Sequence, residues 1–210
     1  MSLLEEQHVF YTERVPEHFN WTLERQRATA RHDSDAARTL AEMEAVRAAI
    51  VVQIDTGKGV QRHVFEIENG EMRCVVDPTR VPFLILDHTL EDFSSIRREC
   101  GDSLLGFLGG LAGLGDELRL TAQRVRDLRE LHGSLAFERT GPGGFVLVAT
   151  FGIETPEVQP RATIRLDETI YKQLRNGELD PQDAFLNGMI EIEGDTEMAV
   201  SLALTVLSPD

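Results

Sequence analysis

The chain of 210 residues has only two cysteines, Cys74 and Cys100, and neither belongs to a CxxC or Cys/His spacing. A disulfide framework and a zinc-binding knuckle are therefore excluded, and a reducing compartment is expected. The first residues, Met1-Ser2-Leu3-Leu4-Glu5-Glu6, lack a basic region followed by an apolar run, so no leader peptide is expected. The longest uncharged apolar stretches, 103–115 and 198–207, fall short of the ~20 residues of a membrane span. The expected location is cytoplasmic, without stable membrane insertion. Basic residues are scarce, with 21 Lys and Arg against 36 Asp and Glu and a net charge of -15, which disfavours nucleic acid as a partner. From Gly177 to Asp210 there is no Lys or Arg at all.

Catalytic signatures are also missing. No Gly-x-Ser-x-Gly elbow occurs, and Gly57-Lys58-Gly59 lacks the spacing of a phosphate loop and reads as a hairpin turn. His8, His18, His32, His63, His88 and His132 are dispersed along the chain, so no metal centre is expected. Neither an enzyme nor a cofactor is indicated. The repeated glycines of 106–115 read as a flexible or close-packed loop.

What the chain does have is 41% hydrophobic residues in clear patterns. Asp33 or Ser34 caps a helix expected to reach Ile50, while 1–32 defy placement. Strands are expected at 50–55, 61–68, 71–76 and 82–86, with Asn69-Gly70 as a hairpin turn, then a helix over 90–100. Asp116 is expected to open an amphipathic helix with Leu118, Ala122, Val125, Leu128 and Leu131 on one face. Strands follow at 134–139, 145–153 and 161–166. Ordered echoes link the halves. Ile54-Asp55-Thr56-Gly57 parallels Glu138-Arg139-Thr140-Gly141, Leu86-Asp87-His88-Thr89 parallels Leu166-Asp167-Glu168-Thr169, and Phe107-Leu108-Gly109-Gly110 parallels Phe185-Leu186-Asn187-Gly188, with Gly115-Asp116 and Gly194-Asp195 following. These echoes are compatible with duplication, dividing the chain into an N-terminal α+β half over 1–115 and a second half over 116–210.

The end of the chain is the most informative. Asp167 caps a short helix that Gly177 stops, and Asp180-Pro181 starts a second, because proline at the first helical position loses no hydrogen bond. Met189 to Glu193 alternates as a strand, Gly194-Asp195 turns, and the last helix is apolar almost all round. The ordered run Ala162-Thr-Ile-Arg-Leu-Asp167, Gly177-Glu-Leu-Asp-Pro181-Gln-Asp-Ala184, Gly188 and Ile192-Glu-Gly194-Asp195 resembles the C-terminal signature of the sterol carrier protein type 2 family, most clearly over 160–207.

The resemblance implies an α+β fold, a small twisted and mainly antiparallel sheet with helices on one face, and an apolar tunnel between the two layers. The implied lining is Phe137, Val148, Phe151, Ile164, Ile170, Leu174, Phe185, Ile190, Met198 and Leu202, confined to residues after Asp116. The implied function is non-catalytic binding or carriage of an apolar small molecule or lipid, such as a sterol, fatty acid or acyl-CoA. The alternative is an interaction or dimerisation module with the same fold and a closed tunnel, and a homodimer is compatible with the apolar last helix. Arg161, Arg165, Lys172 and Arg175 stand near the proposed tunnel, as receivers of an anionic head or as balance for the acidic rim.

Overall fold

A computed structural model describes residues 2–114 and 118–208. Residues 3–30, within the segment that the sequence pattern left unassigned, are helical. Helix α1 (Leu3–Val9) is capped by Ser2 and Glu5 in a reciprocal capping box. A π-helical segment (Phe10–Arg14) joins it to α2 (Val15–Ala30). Asp33 then caps α3 (Ser34–Glu44), accepting hydrogen bonds from the backbone of Asp35 and Ala36. This helix stops at Glu44 and does not extend to Ile50. The run Ala48-Ala49-Ile50-Val51-Val52 is buried on both faces and includes three consecutive β-branched residues, and it belongs to β1 (Arg47–Asp55).

Three strands complete the first half: β2 (Val60–Glu68), β3 (Glu71–Val75) and β4 (Leu84–Thr89). Asn69 and Gly70 turn β2 into β3 with φ of 55° and 78°, as the Asn-Gly pair predicts. Helix α4 (Phe93–Cys100) follows. The glycine-rich segment forms another helix, α5 (Gly106–Leu111), rather than a loop. Its glycines serve close approach. A Cβ on Gly106 would stand 2.6 Å from the Cys100 carbonyl oxygen, and one on Gly110 would stand 2.6 Å from the Tyr171 hydroxyl.

The expected helix start at Asp116 lies outside the described residues. The observed helix α6 (Ala122–Arg129) is shorter than expected, because Thr121 caps it by accepting from the Arg124 N–H while Leu118 to Leu120 run outside it. The rest follows the sequence pattern closely: β5 (Gly133–Thr140), β6 (Phe145–Phe151), β7 (Ala162–Asp167), α7 (Glu168–Arg175), α8 (Pro181–Leu186), β8 (Glu191–Gly194) and α9 (Thr196–Leu207). Asp167, Asp180 and Asp195 each cap the helix that follows.

The strands form one sheet in the order β3-β2-β1-β4-β6-β5-β7-β8. The β1–β4 and β5–β7 pairs are parallel and the others antiparallel, so the architecture is α+β with a mainly antiparallel sheet. Each half contains a hairpin whose first strand also takes a parallel partner, β2-β1-β4 in one and β6-β5-β7 in the other. The halves meet where Leu84 to Asp87 pair with Val148 to Phe151.

Alternate strand residues, such as Ile50, Phe65, Leu84, Leu135, Leu147 and Ile164, join the apolar residues of α4, α5, α6 and α9 in one core. The opposite face carries only a small apolar group, Val51, Val64 and Ile85. The N-terminal helices cover the first half, with Phe10, Tyr11 and Val15 in the core. Asn20 closes the free edge. Its side chain accepts from the Met72 N–H (2.8 Å) and donates to the Met72 carbonyl (3.0 Å), so it stands in for a neighbouring strand.

The contact at α5 predicts that Gly106→Ala destabilises the protein by about 1–3 kcal/mol, because the new methyl meets backbone rather than a movable side chain. Chemical denaturation of the variant checks this.

Candidate functional site

An apolar cleft of about 350 Å³ opens between the sheet and the helices at the C-terminal end of the fold. Phe137 on β5 and Ile164 on β7 form its floor, helped by Ile190 and Ile192 at the β8 end. Helix α8 contributes Pro181, Gln182, Phe185 and Leu186, and α9 contributes a face from Ala199 to Leu207. The third wall comes from the first half of the chain, through Leu108, Leu111 and Ala112 of α5 and its C-terminal end. This differs from a lining confined to residues after Asp116. The reason is the shared sheet, which brings α5 over β5, where Phe107 meets Phe137 edge-on with ring centroids 5.0 Å apart.

Among the described residues, Gln182 carries the one polar side chain of this lining. The exposed apolar residues Phe185, Leu186, Val200, Leu204 and Leu207 stand at the same cleft, with Leu186 78% and Leu204 64% exposed. Such a grouping exceeds the scattered single exposures normal for a surface.

Of the ten residues expected to line a tunnel, the structure gathers five at the cleft: Phe137, Ile164, Phe185, Ile190 and Leu202. The other five lie elsewhere. Val148 pairs with Ala136 and Asp87, one position out of phase with Leu147 and Phe137, and therefore points to the opposite sheet face. Phe151 is fully buried in the core, beside Leu84 and Gly133 in the sheet. Met198 is a core residue at the start of α9. Ile170 and Leu174 pack with Leu166, Tyr171 and Ala184 in a separate cluster under α7.

Sequence reasoning missed Leu108, Leu111 and Ala112. Their only sequence signal was the echo of Phe107-Leu108 in Phe185-Leu186, two helices that do meet at the cleft.

The nearby cations are occupied. Arg161 binds Asp195 at 2.5 Å, and Lys172 binds Glu168 at 2.5 Å. Arg165 donates to Glu138 at 2.8 Å and reaches Glu191 and Glu193 at 3.5 and 3.7 Å. Neither these three nor Arg175 lines the cleft.

A second polar assembly lies beneath α1 and the π-helical segment. Gln7, fully buried, is 2.7 Å from the His63 Nε2. The Tyr11 hydroxyl is 2.8 Å from the His88 Nε2, and the His88 Nδ1 lies 2.7 Å from the Thr89 carbonyl. An Nδ1–H donating to that carbonyl leaves Nε2 to accept from Tyr11, so His88 is held as a neutral ring. Tyr11 also stacks on His63 at 5.2 Å. Burial lowers both imidazole pKa values, that of His63 to about 4 with the neighbouring His8 and His88 adding to the effect. Two of the dispersed histidines, His63 and His88, thus form part of a buried hydrogen-bonded contact between the N-terminal helices and the sheet.

The fold and cleft together define an α+β protein with a helix-covered sheet and an apolar cleft between the layers. Residues 117–206 match the family model of the SCP-2 sterol transfer family. The resemblance carried by the C-terminal motif is therefore a family match, and it reaches back to residue 117. Similar solved structures include sterol carrier protein 2 like 2 from Aedes aegypti, with 16% identity, 39% of this chain and 91% of that chain covered, and a TM-score of 0.29. Sterol carrier protein domain 2 of Helicoverpa armigera shows 21% identity over 40% of this chain and 76% of that one, with a TM-score of 0.29. Sterol carrier protein 2 from Yarrowia lipolytica, in its apo form, shows 13% identity over 56% and 90%, with a TM-score of 0.30. No curated protein matches the chain. Among the described residues, no helix is long and apolar enough to cross a membrane.

The buried histidine yields a pH prediction. With the folded pKa of His63 near 4 and an unfolded value near 6.5, the unfolded chain takes up the proton first. Stability from the neutral ring is present above about pH 6.5 and is lost as pH falls towards 4. Burial raises the Asp87 carboxyl to about 6, which acts with the opposite sign. Comparison with His63→Gln cancels the Asp87 contribution. The unsubstituted protein should lose up to ~3 kcal/mol relative to that variant between pH 6.5 and 4, measured by denaturant unfolding at each pH.

Proposed function

We propose that this protein binds and carries an apolar small molecule or lipid, without catalysing a reaction on it. The observation that carries this reading is the cleft itself: about 350 Å³ in volume, with a lining that is hydrocarbon apart from Gln182. Burying an alkyl chain there gains ~0.8 kcal/mol per methylene, enough for a long chain to offset the freedom lost on binding. The match of 117–206 to a sterol transfer family supports the same reading. The proposed contact residues are Phe137, Ile164, Phe185, Ile190 and Leu202, together with the α5 residues Leu108 and Leu111. A cytoplasmic location and an origin by duplication complete the proposal. The latter is supported by the β2-β1-β4 and β6-β5-β7 arrangements, which repeat one pairing pattern on either side of the β4–β6 seam.

One observation favours a second reading. The exposed residues Leu186, Met189 and Leu204 would suit a partner surface or a homodimer that closes the cleft.

Native mass spectrometry of the purified protein separates the two readings. A co-purifying lipid on a monomer supports carriage, and a ligand-free dimer supports the module. Ala203 is exposed and lines the cleft, so Ala203→Trp should fill it while leaving the fold intact by circular dichroism. Binding of a pyrene-labelled alkyl chain should then weaken at least about tenfold, or about 1.4 kcal/mol. Unchanged binding would remove the cleft from the proposal.

A further inference from the structure

The two edges of the sheet end differently. At β3 the Asn20 side chain satisfies the Met72 backbone and takes the place of a further strand. At the other end, β8 pairs with β7 alone. Among the described residues, the backbone of Glu191, Ile192 and Glu193 makes no hydrogen bond outside that pairing. Alternate residues of an edge strand turn their N–H and C=O away from the neighbouring strand, so β8 presents unpaired groups along its outer side.

The two faces of this strand differ in chemistry. Glu191 and Glu193 project to the sheet face away from the cleft, with side chains 69% and 76% exposed. Ile192 projects to the other face, where it lines the cleft with Ile190. The carboxylates are in excess. Arg165 lies 2.8 Å from Glu138, 3.5 Å from Glu191 and 3.7 Å from Glu193, one guanidinium among three carboxylates. Arg161, just before β7, is engaged by Asp195, and α8, β8 and α9 contain no Lys or Arg. The edge therefore combines unpaired backbone groups, surplus negative charge on one face and apolar surface on the other.

We propose that β8 is a docking edge for an extended segment of a partner protein in which lysine or arginine alternates with apolar residues, joined by strand addition. Backbone hydrogen bonds to β8 supply the pairing, the cations meet Glu191 and Glu193, and the apolar side chains lie beside Ile192. Charge argues against a second copy of this chain as the occupant. Two β8 strands paired edge to edge would set Glu191 and Glu193 against their counterparts, and like charges across a strand pair are destabilising. The docking edge does not depend on what the cleft holds.

The test uses the full chain and a short, blocked, fluorescein-labelled peptide of alternating lysine and valine, titrated by fluorescence anisotropy at low ionic strength. Binding should be saturable, and a glutamate–valine peptide should bind at least about tenfold more weakly. Glu191→Gln combined with Glu193→Gln should weaken the lysine–valine peptide about fivefold. Both side chains are exposed, so the double variant should keep its fold by circular dichroism. Peptides N-methylated at every lysine or at every valine separate strand pairing from charge alone. Only one edge of the peptide faces β8, so at least one of the two should lose binding. Amide hydrogen exchange at 191–193 should slow when the parent peptide is bound. Retention of binding by both N-methylated peptides, equal binding of the glutamate–valine peptide, or absence of saturable binding overturns the proposal. A dimer that protects 191–193 without peptide assigns the edge to a second copy and overturns it as well.

Discussion

The antiparallel pairing of β4 with β6 is the contact on which the rest of this structure depends. It spans only Leu84 to Asp87 against Val148 to Phe151, yet it converts two four-stranded halves into one sheet. Edge strands expose unpaired backbone groups, and joining two edges satisfies both at once. Because the sheet is continuous, so is the main apolar core, which runs from Phe10 in the N-terminal helices to Val206 in the last one. The seam also places α5 beside β5, so a helix of the first half becomes a wall of the cleft built mainly by the second.

The sheet gathers the main core and its covering helices on one face, which sets the pattern of burial everywhere else. Strand residues that face the helices are mostly apolar, while those on the other face include the carboxylates and arginine of the Arg165 group. The N-terminal helices lengthen the covered area over β1, β2 and β3. Their attachment combines apolar packing of Phe10 and Val15 with the Gln7–His63 and Tyr11–His88 contacts. Buried polar pairs of this kind fix register, because a slipped helix would leave each donor and acceptor unsatisfied. At the other end, the covering layer is incomplete, and the gap between α5, α8 and α9 is the cleft. Function is therefore proposed where the helical layer leaves the sheet's apolar face uncovered.

Much of the second half was legible from local chemistry. Asp167, Asp180-Pro181 and Asp195 announce helix starts, and the alternation of Ala162, Ile164 and Leu166 announces a half-buried strand. Asn69-Gly70 announces its turn for the same reason, a backbone conformation that few residues adopt readily. The first thirty residues resisted because their apolar positions pass through a π-helical stretch, which shifts the helical phase at Tyr11. The glycines of α5 misled in a different way. Their low helix propensity suggests a loop, but close packing against Cys100 and Tyr171 outweighs it.

By itself the sequence determined the α+β class, the capped helices, the strands of both halves, the acidic character of the C-terminal region and the family resemblance of its last third. These follow from interactions between residues close in the chain, or from composition alone. Only the tertiary structure decided which apolar residues face the cleft. Phe137 and Val148 look alike in sequence, but strand register sends one to the helices and the other to the opposite face. It also decided that Leu108 and Leu111 join the lining and that His63 and His88 come together under one helix. Those outcomes depend on pairings between segments tens of residues apart, which local spacing does not encode.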